Sequence, residues 1–533
     1  MGKRVIFSFL LTVVFSCALI LRIAIINNSI GTQTATTQST RKIYVSSSRG
    51  MIYDRNMVPL VNRKVKTVLA VDPTSEAMEC LKKQMAADEY SVATEKSKNG
   101  TPFVIECENY NGDCDDIVSM SVCQRYSSDD VATHIIGYTD LQENGVSGVE
   151  SSFNGLLNEN SGALSIRYNA DATGKVLKGD GISVIDDNYM SVAGVVLTID
   201  KEIQRICEQS MERNEIERGA VVVLDVQKSE ILAMVSTPEY DRENMSVSLD
   251  DENSPFLNRA INAYAVGSVF KPIVAVAALN EGISEDTVFE CKGYVTINGQ
   301  RFNCHKKDGH GRITMSQAIA VSCNSYFIQL GRLVGAENIV NTGSLLGLGK
   351  EIELCDSIKS VKGNLPNVDT LDSLASLANL SFGQGTLLAT PLQIAAMYCA
   401  FANGGYYRQP YMFKEIVDSK GVVTAYYENE IDNKVIPDSI CEKICDMLSE
   451  TVTDGSGKLA KPMCYNASGK TATAETGWVE NGEPIYHTWF AGYFPSEKPK
   501  YVIVVFNEKG SSSSTDCAPV FRDIADGITG LYG

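Results

Sequence analysis

The chain has 533 residues, of which 44% are hydrophobic and 21% charged, and its net charge is −18. That balance belongs to globular domains, two or three of them by length, and excludes a disordered chain. An acidic surface repels phosphate backbones, which excludes a nucleic-acid-binding protein.

Lys3 and Arg4 precede an uncharged apolar run from Val5 to Leu21, and Ile23 to Ile26 continue it beyond Arg22. About twenty apolar residues suffice to cross a bilayer, and the basic flank stays cytoplasmic. Residues 1–26 are therefore expected to form a cytoplasmic tip and a single-pass anchor, with the rest of the chain on the extracytoplasmic side. No small-x-small cleavage site closes the run, which argues against a cleaved signal peptide. Residues 27–48, rich in Ser, Thr, Asn and Gln and without apolar periodicity, are expected to be a linker.

From Arg49 to about residue 194 short strand patterns mix with polar turns, the texture of a mixed α/β domain. Cys107, Cys114 and Cys123 sit here in a polar, acidic stretch that looks like an inserted subdomain. A second domain is expected over 195–533. Asp200 is a plausible N-cap for a helix over Lys201 to Arg213. Gly219 to Val226 and Ile231 to Val235 follow as the two strands of a hairpin. Helical patterns run over Ser268–Glu281, Met315–Leu333 and Pro391–Ala402. Strand patterns return at Lys470–Glu475, His487–Phe494 and Tyr501–Asn507, before a last helix near Pro519–Leu531. Strands at both ends with helices between them predict an α+β arrangement, an antiparallel sheet covered by helices.

The 15 cysteines are scattered, so the small disulfide-scaffold argument does not apply. Cys291 and Cys304 flank a hairpin signal at Asn298-Gly299. If Ile297 pairs with Gln300, Gly293 faces Cys304, and Cys291 is its diagonal neighbour. A disulfide, two separate buried thiols, and a zinc site that includes His305 and His310 are the three readings. The spacing matches no standard zinc signature, which ranks the zinc reading third.

Ser268 and Lys271 are the sharpest chemical feature. A serine hydroxyl is a poor nucleophile without a base in reach, and residues i and i+3 share a helix face. For Lys271 to accept a proton its ammonium must be destabilised by burial or by a second cation. Taken alone the pattern also describes an ordinary helix cap, and Ser39 with Lys42 matches it by chance. Ser322-Cys323-Asn324 places two polar groups that face one way only where a helix ends or bends. Its bland reading is a polar cap, and Ser152-Phe153-Asn154 matches it too. Lys470-Thr471-Ala472-Thr473 opens a strand with small residues along which a substrate can pair; its bland reading is a solvated strand end.

The three motifs in this order form the active-site set of penicillin-binding proteins and class A β-lactamases. The sequence resembles a class B penicillin-binding protein over nearly its whole length. Arg49-Gly50, Ile52 and Asp54-Arg55-Asn56 resemble the opening of the family's membrane-proximal domain, and His134–Tyr138 and Gly145–Glu150 its later parts. Leu197–Asp200 resembles the entry to the transpeptidase domain, and Gly383-Gln384-Gly385 with Thr390–Gln393 its middle. The resemblance implies a penicillin-binding-protein transpeptidase fold over 195–533, a pedestal over 49–194, and no cofactor or metal.

It also implies that Ser268 is the acylated nucleophile and Lys271 its base. Ser322 would relay a proton to the leaving D-alanine, Asn324 would hold the acyl chain's amide, and Lys470 and Thr471 would bind the terminal carboxylate. The backbone N–H groups of Ser268 and Thr473 would form the oxyanion hole. The substrates would be a D-Ala-D-Ala stem peptide and an amine acceptor, with β-lactams as inhibitors. A membrane glycosyltransferase would be a separate partner, since 49–194 is short for a second catalytic domain. Two positions depart from the family pattern: Ala472 stands where glycine is usual and Val266 where proline is usual. A methyl at 472 that points into the cleft would crowd a donor. That leaves a catalytically weak β-lactam-binding or scaffolding homologue as the alternative reading.

Overall fold

The computed structural model describes residues 2–29, 40–108, 110–171, 174–177, 181–427, 433–480 and 482–533. Ser39 and much of the expected linker lie outside them. Helix Gly2–Ser29 carries the apolar run, and its stretch Ile6–Ile25 is long and apolar enough to cross a membrane, with none of it buried. Twenty residues at 1.5 Å each give ~30 Å, the thickness of a bilayer's hydrocarbon core.

The chain folds into two compact units. The smaller gathers the segment up to Arg49 with Asn62–Arg125 and Asn160–Ser191. It contains one antiparallel sheet of Thr40–Ser48, Gly162–Asn169 and Ser183–Asp187, and another of Phe103–Glu106, Lys64–Val71 and Ile117–Gln124. In the acidic stretch, Cys123 lies on strand Ile117–Gln124, while Cys107 follows strand Phe103–Glu106 and Cys114 precedes the next strand.

Two sequence expectations need correction here. The expected linker over 27–48 ends in a strand, Thr40–Ser48, paired from Thr40 opposite Asn169 to Ser48 opposite Gly162. Only Ile43 and Val45 supply apolar alternation, packing on Leu164 and Ile166, and the surrounding serines hide so short a signal. The expected boundary at 194 lies beside a division between Ser191 and Val192, but the residues before it do not all belong to the smaller unit. Gly50–Val61 and Tyr126–Glu159 belong to the larger unit together with everything from Val192. The reason is strand pairing: Met51–Tyr53 runs parallel to Gly194–Leu197, which in turn pairs antiparallel with Phe413–Val417.

The larger unit is built on a five-stranded antiparallel sheet. Its order is Ile231–Thr237, Gly219–Asp225, Tyr501–Gly510, Glu483–Phe494 and Ser468–Glu480. Alternation decides its two faces. Ala220, Val222 and Leu224, with Val502, Val504 and Phe506, enter the main core beside Tyr398 and Phe401 of helix Pro391–Ala402. Val221, Val223, Ile503 and Val505 face the other way, onto Ile203, Cys207 and Met211 of helix Lys201–Arg213 and Phe521 and Ile524 of helix Ser513–Tyr532. Asp200 caps its helix as expected, accepting from the N–H groups of Glu202 and Ile203. The last helix starts at Ser513, earlier than Pro519 suggests, and carries that proline inside it. Strand Ser468–Glu480 is an edge, so one side of its backbone is open for pairing.

Candidate active site

Ser268 sits on a 3-10 turn, Gly267–Phe270, that leads into helix Lys271–Asn280. The turn is pinned from two sides. Gly267 has φ +64 and its N–H donates to Gly383 O at 2.8 Å, while a Cβ on Gly383 would come within 1.9 Å of Gly267 O. This explains Gly383: its backbone lies where no side chain fits. On the other side, a Cβ built on Gly267 would lie 3.3 Å from the Ala472 methyl and 3.0 Å from that of Ala474. The turn with Ser268 therefore lies against the edge strand. The Ser268 hydroxyl is half-buried and has no hydrogen-bond partner among the described residues.

Lys271 is fully buried. Its Nζ donates to Ser322 O (2.7 Å), Ser322 Oγ (3.2 Å) and Asn324 Oδ1 (2.8 Å), and lies 5.6 Å from the Phe327 ring centre. The expected helix over Met315–Leu333 is broken at this point. Helix Met315–Ala320 ends, Ser322 takes a left-handed φ of +56, and helix Asn324–Val334 begins. The left-handed residue turns Ser322 and Asn324 toward the same lysine, as the spacing required. Asn324 Nδ2 reaches back to Asn303 O at 3.5 Å.

Lys470 is the second fully buried lysine, and its Nζ donates to Thr471 O at 3.0 Å. Burial lowers Lys271 to about 8, against the opposing pull of the Cys323 and Cys304 thiols. Lys470 is pushed well below the usual lysine range, by burial and then by Lys271. Burial is the first cause for both lysines, and their like charges disfavour each other, which makes Lys271 a base near neutral pH.

Thr471 Oγ1 shares a hydrogen bond with Ser456 Oγ at 2.7 Å, and Thr473 Oγ1 one with Ser513 Oγ at 3.2 Å. Thr473 is exposed, whereas Ala472 is 1% exposed and its methyl belongs to the core under the serine turn. Of the two orientations open to this methyl, the pleat gives the packed one: residue 472 lies on the same face as 470 and 474. Val266, the other departure, is fully buried.

The structure thus unites Lys271, Ser322 and Asn324 directly and brings the serine turn against the strand of Lys470. The chance match at Ser152 and Asn154 does not form such a site. Ser152 Oγ donates to Gly148 O on its own helix and to the distant Cys355 Sγ, and Asn154 Oδ1 accepts from Gly145 N–H. Sequence reasoning missed the role of Gly383 and of Ser456; the first was visible only as part of a motif and the second not at all.

Of the three readings of Cys291 and Cys304 the disulfide is not formed, and both thiols are free. The hairpin register is as predicted, with Ile297 opposite Gln300 and Cys304 N–H donating to Gly293 O. However, Cys291 pairs with Gly311 on a different strand, so the two sulfurs are not held as a cross-strand pair.

A family model described as the penicillin binding protein transpeptidase domain matches residues 219–526. Among curated relatives, stage V sporulation protein D of Bacillus subtilis is 27% identical over 562 residues, covering 98% of this chain and 84% of that protein. Peptidoglycan D,D-transpeptidase FtsI of Escherichia coli is 27% identical over 527 residues, covering 92% and 85%. A solved peptidoglycan synthase complex contains a chain of the same fold, with a TM-score of 0.70 and 22% identity, covering 98% of both chains. With its family domain over more than half its length and a single N-terminal apolar helix, the chain belongs to the penicillin-binding protein transpeptidase family, as a class B member.

Proposed function

We propose that the protein is a membrane-anchored D,D-transpeptidase that cross-links peptidoglycan stem peptides through a serine acyl-enzyme. Ser268 Oγ attacks the penultimate D-alanine carbonyl of the donor while its proton passes to neutral Lys271. The negative charge that develops on the carbonyl oxygen is met by the N–H groups of Ser268 and Thr473. Collapse of the adduct breaks the peptide bond, and terminal D-alanine leaves with a proton relayed from Lys271 through Ser322. An amine from a neighbouring stem then attacks the ester, restoring the Ser268 hydroxyl. Asn324 holds the donor's amide, and Lys470 and Thr471 take its carboxylate. A β-lactam enters the same first step, but its opened ring stays attached and blocks the second.

The observation that carries this reading is the buried Lys271, lowered to about 8 and bound to Ser322 and Asn324 one turn after a serine whose hydroxyl is unengaged. The packed methyl of Ala472 removes the reason for preferring a catalytically weak homologue. The apolar helix supports an anchor with the larger unit outside the cell, and the synthase-complex neighbour supports a separate glycosyltransferase as partner. Intact-protein mass spectrometry after penicillin labelling tests the assignment. One adduct is expected, absent in Ser268→Ala, together with D-alanine release from a stem-peptide substrate. An adduct that persists in that variant would refute it.

A further inference from the structure

Behind the Ser322 loop lies a group of side chains that the proposed reaction does not use. Cys291, Cys304, His310 and Cys323 offer ligand atoms that all lie within 4.8 Å of one another. Cys304 Sγ is 3.9 Å from Cys323 Sγ and 3.6 Å from His310 Nδ1. Tetrahedral zinc, with Zn–S ~2.3 Å and Zn–N ~2.0 Å, gives edges of ~3.8 Å between sulfurs and ~3.5 Å from sulfur to nitrogen. These two spacings match edges of that polyhedron, and the sulfur–sulfur one is far longer than an S–S bond of ~2.05 Å. The three thiols are almost wholly buried, and three sulfurs with one imidazole nitrogen suit zinc over harder cations.

The local folding is organised around the same point. Pairing of Cys291 with Gly311 brings His310 beside the first thiol. Gly309 turns the loop with φ +77, and a Cβ there would lie 2.1 Å from Cys291 O. The Cys323 sulfur caps helix Asn324–Val334, accepting from Tyr326 N–H at 3.4 Å. Such a donor stabilises a thiolate and forms part of the outer shell expected of a metal site.

We propose that Cys291, Cys304, His310 and Cys323 bind one zinc ion in a closed structural site that clamps the Ser322-Cys323-Asn324 loop. Binding releases the three thiol protons to solvent and leaves a site with one net negative charge. Because Cys323 lies between Ser322 and Asn324, the ion fixes the left-handed Ser322 that aims both residues at Lys271. The effect on acylation rests on the function proposed above, whereas the metal content does not.

The test is elemental analysis of the full-length, detergent-solubilised protein, purified without added metal or chelator. One equivalent of zinc per chain is expected. Cobalt(II) replacing it should show the thiolate charge-transfer and intense d–d bands of a tetrahedral site. His310→Ala should lower zinc affinity at least ten-fold in a chelator competition while His310→Cys restores it. His305→Ala should leave it unchanged, because His305 is exposed and lies outside the set of four. Zinc removal should slow penicillin acylation at least ten-fold, reversibly, without moving the single labelled serine. Zinc-free protein with four reactive side chains, a disulfide between any two of the thiols, iron in place of zinc, or zinc lost on His305→Ala and kept on His310→Ala would each overturn the site. Unchanged acylation after zinc removal would overturn the clamp.

Discussion

At the scale of single residues, the roles proposed for the two buried lysines rest on their surroundings. Neutral Lys271 is the form that accepts a proton, and burial lowers it to about 8. Lowering the pH protonates it and removes the base. The acylation rate should therefore rise about ten-fold per pH unit up to about pH 8 and level off above it, followed with a chromogenic β-lactam. Lys271→Arg keeps the charge and cannot deprotonate, so acylation should fall by ~100-fold or more. A rate near that of the parent would assign the base elsewhere. For Ala472 the expectation is the opposite of crowding. Its methyl packs under the serine turn, so Ala472→Gly should leave penicillin acylation within about two-fold and lower stability by ~0.5–1 kcal/mol. Acceleration of ten-fold or more would return the methyl to the cleft.

At the scale of elements, the site depends on contacts between segments far apart in sequence. Gly383 lies under the serine turn, where an added Cβ would meet Gly267 O at 1.9 Å. Gly383→Ala should displace the turn, reduce acylation at least ten-fold and lower the melting temperature. Gly385→Ala also carries a positive φ, but the nearest atom to its Cβ would be 3.4 Å away, so its loss of acylation should be much smaller. Equal losses in the two variants would show that backbone strain, not the contact with Gly267, is what matters.

A second junction joins the strand Tyr501–Gly510 to the turn before Ser268. Arg259 is fully buried and pairs with Glu508, which also binds Arg218. Burial alone would raise the Glu508 carboxyl, but hydrogen bonds from Arg259 and Arg218 outweigh it and hold the group below the usual range. A depressed carboxyl stabilises the fold fully above its unfolded value of about 4.3 and loses that contribution as pH falls through its folded value. Glu508→Gln strands a buried guanidinium and should cost ~3–5 kcal/mol at neutral pH, read as a denaturation midpoint. The deficit should shrink as the pH falls below about 4.

At the scale of the whole molecule, strand Thr40–Ser48 is where the chain after the apolar helix begins to pair, so truncation before it and within it should differ. A chain starting at Thr40 should be soluble without detergent and should acylate at the parent rate. A chain starting at Arg49 removes the partner of Gly162–Asn169 and uncovers Leu164 and Ile166, so it should aggregate or melt earlier. Equal melting temperatures for the two chains would show that the strand adds no stability.

Much of the site was legible in the sequence because its rules are local. The one-turn spacing of Ser268 and Lys271, the cap at Asp200 and the alternation of Gly219–Asp225 each follow from periodicity and backbone preference within a few residues. Everything missed depends on register between distant segments. Whether Ala472 points into the cleft or under Gly267 depends on where the edge strand meets the serine turn. Whether Cys291 faces Cys304 or joins Cys323 and His310 depends on pairing between Phe289–Cys291 and Gly311–Ile313. The strand in the expected linker and the return of Gly50–Val61 to the larger unit likewise exist only through partners more than a hundred residues away. Local chemistry thus determined which residues could react, and long-range pairing decided which of them meet.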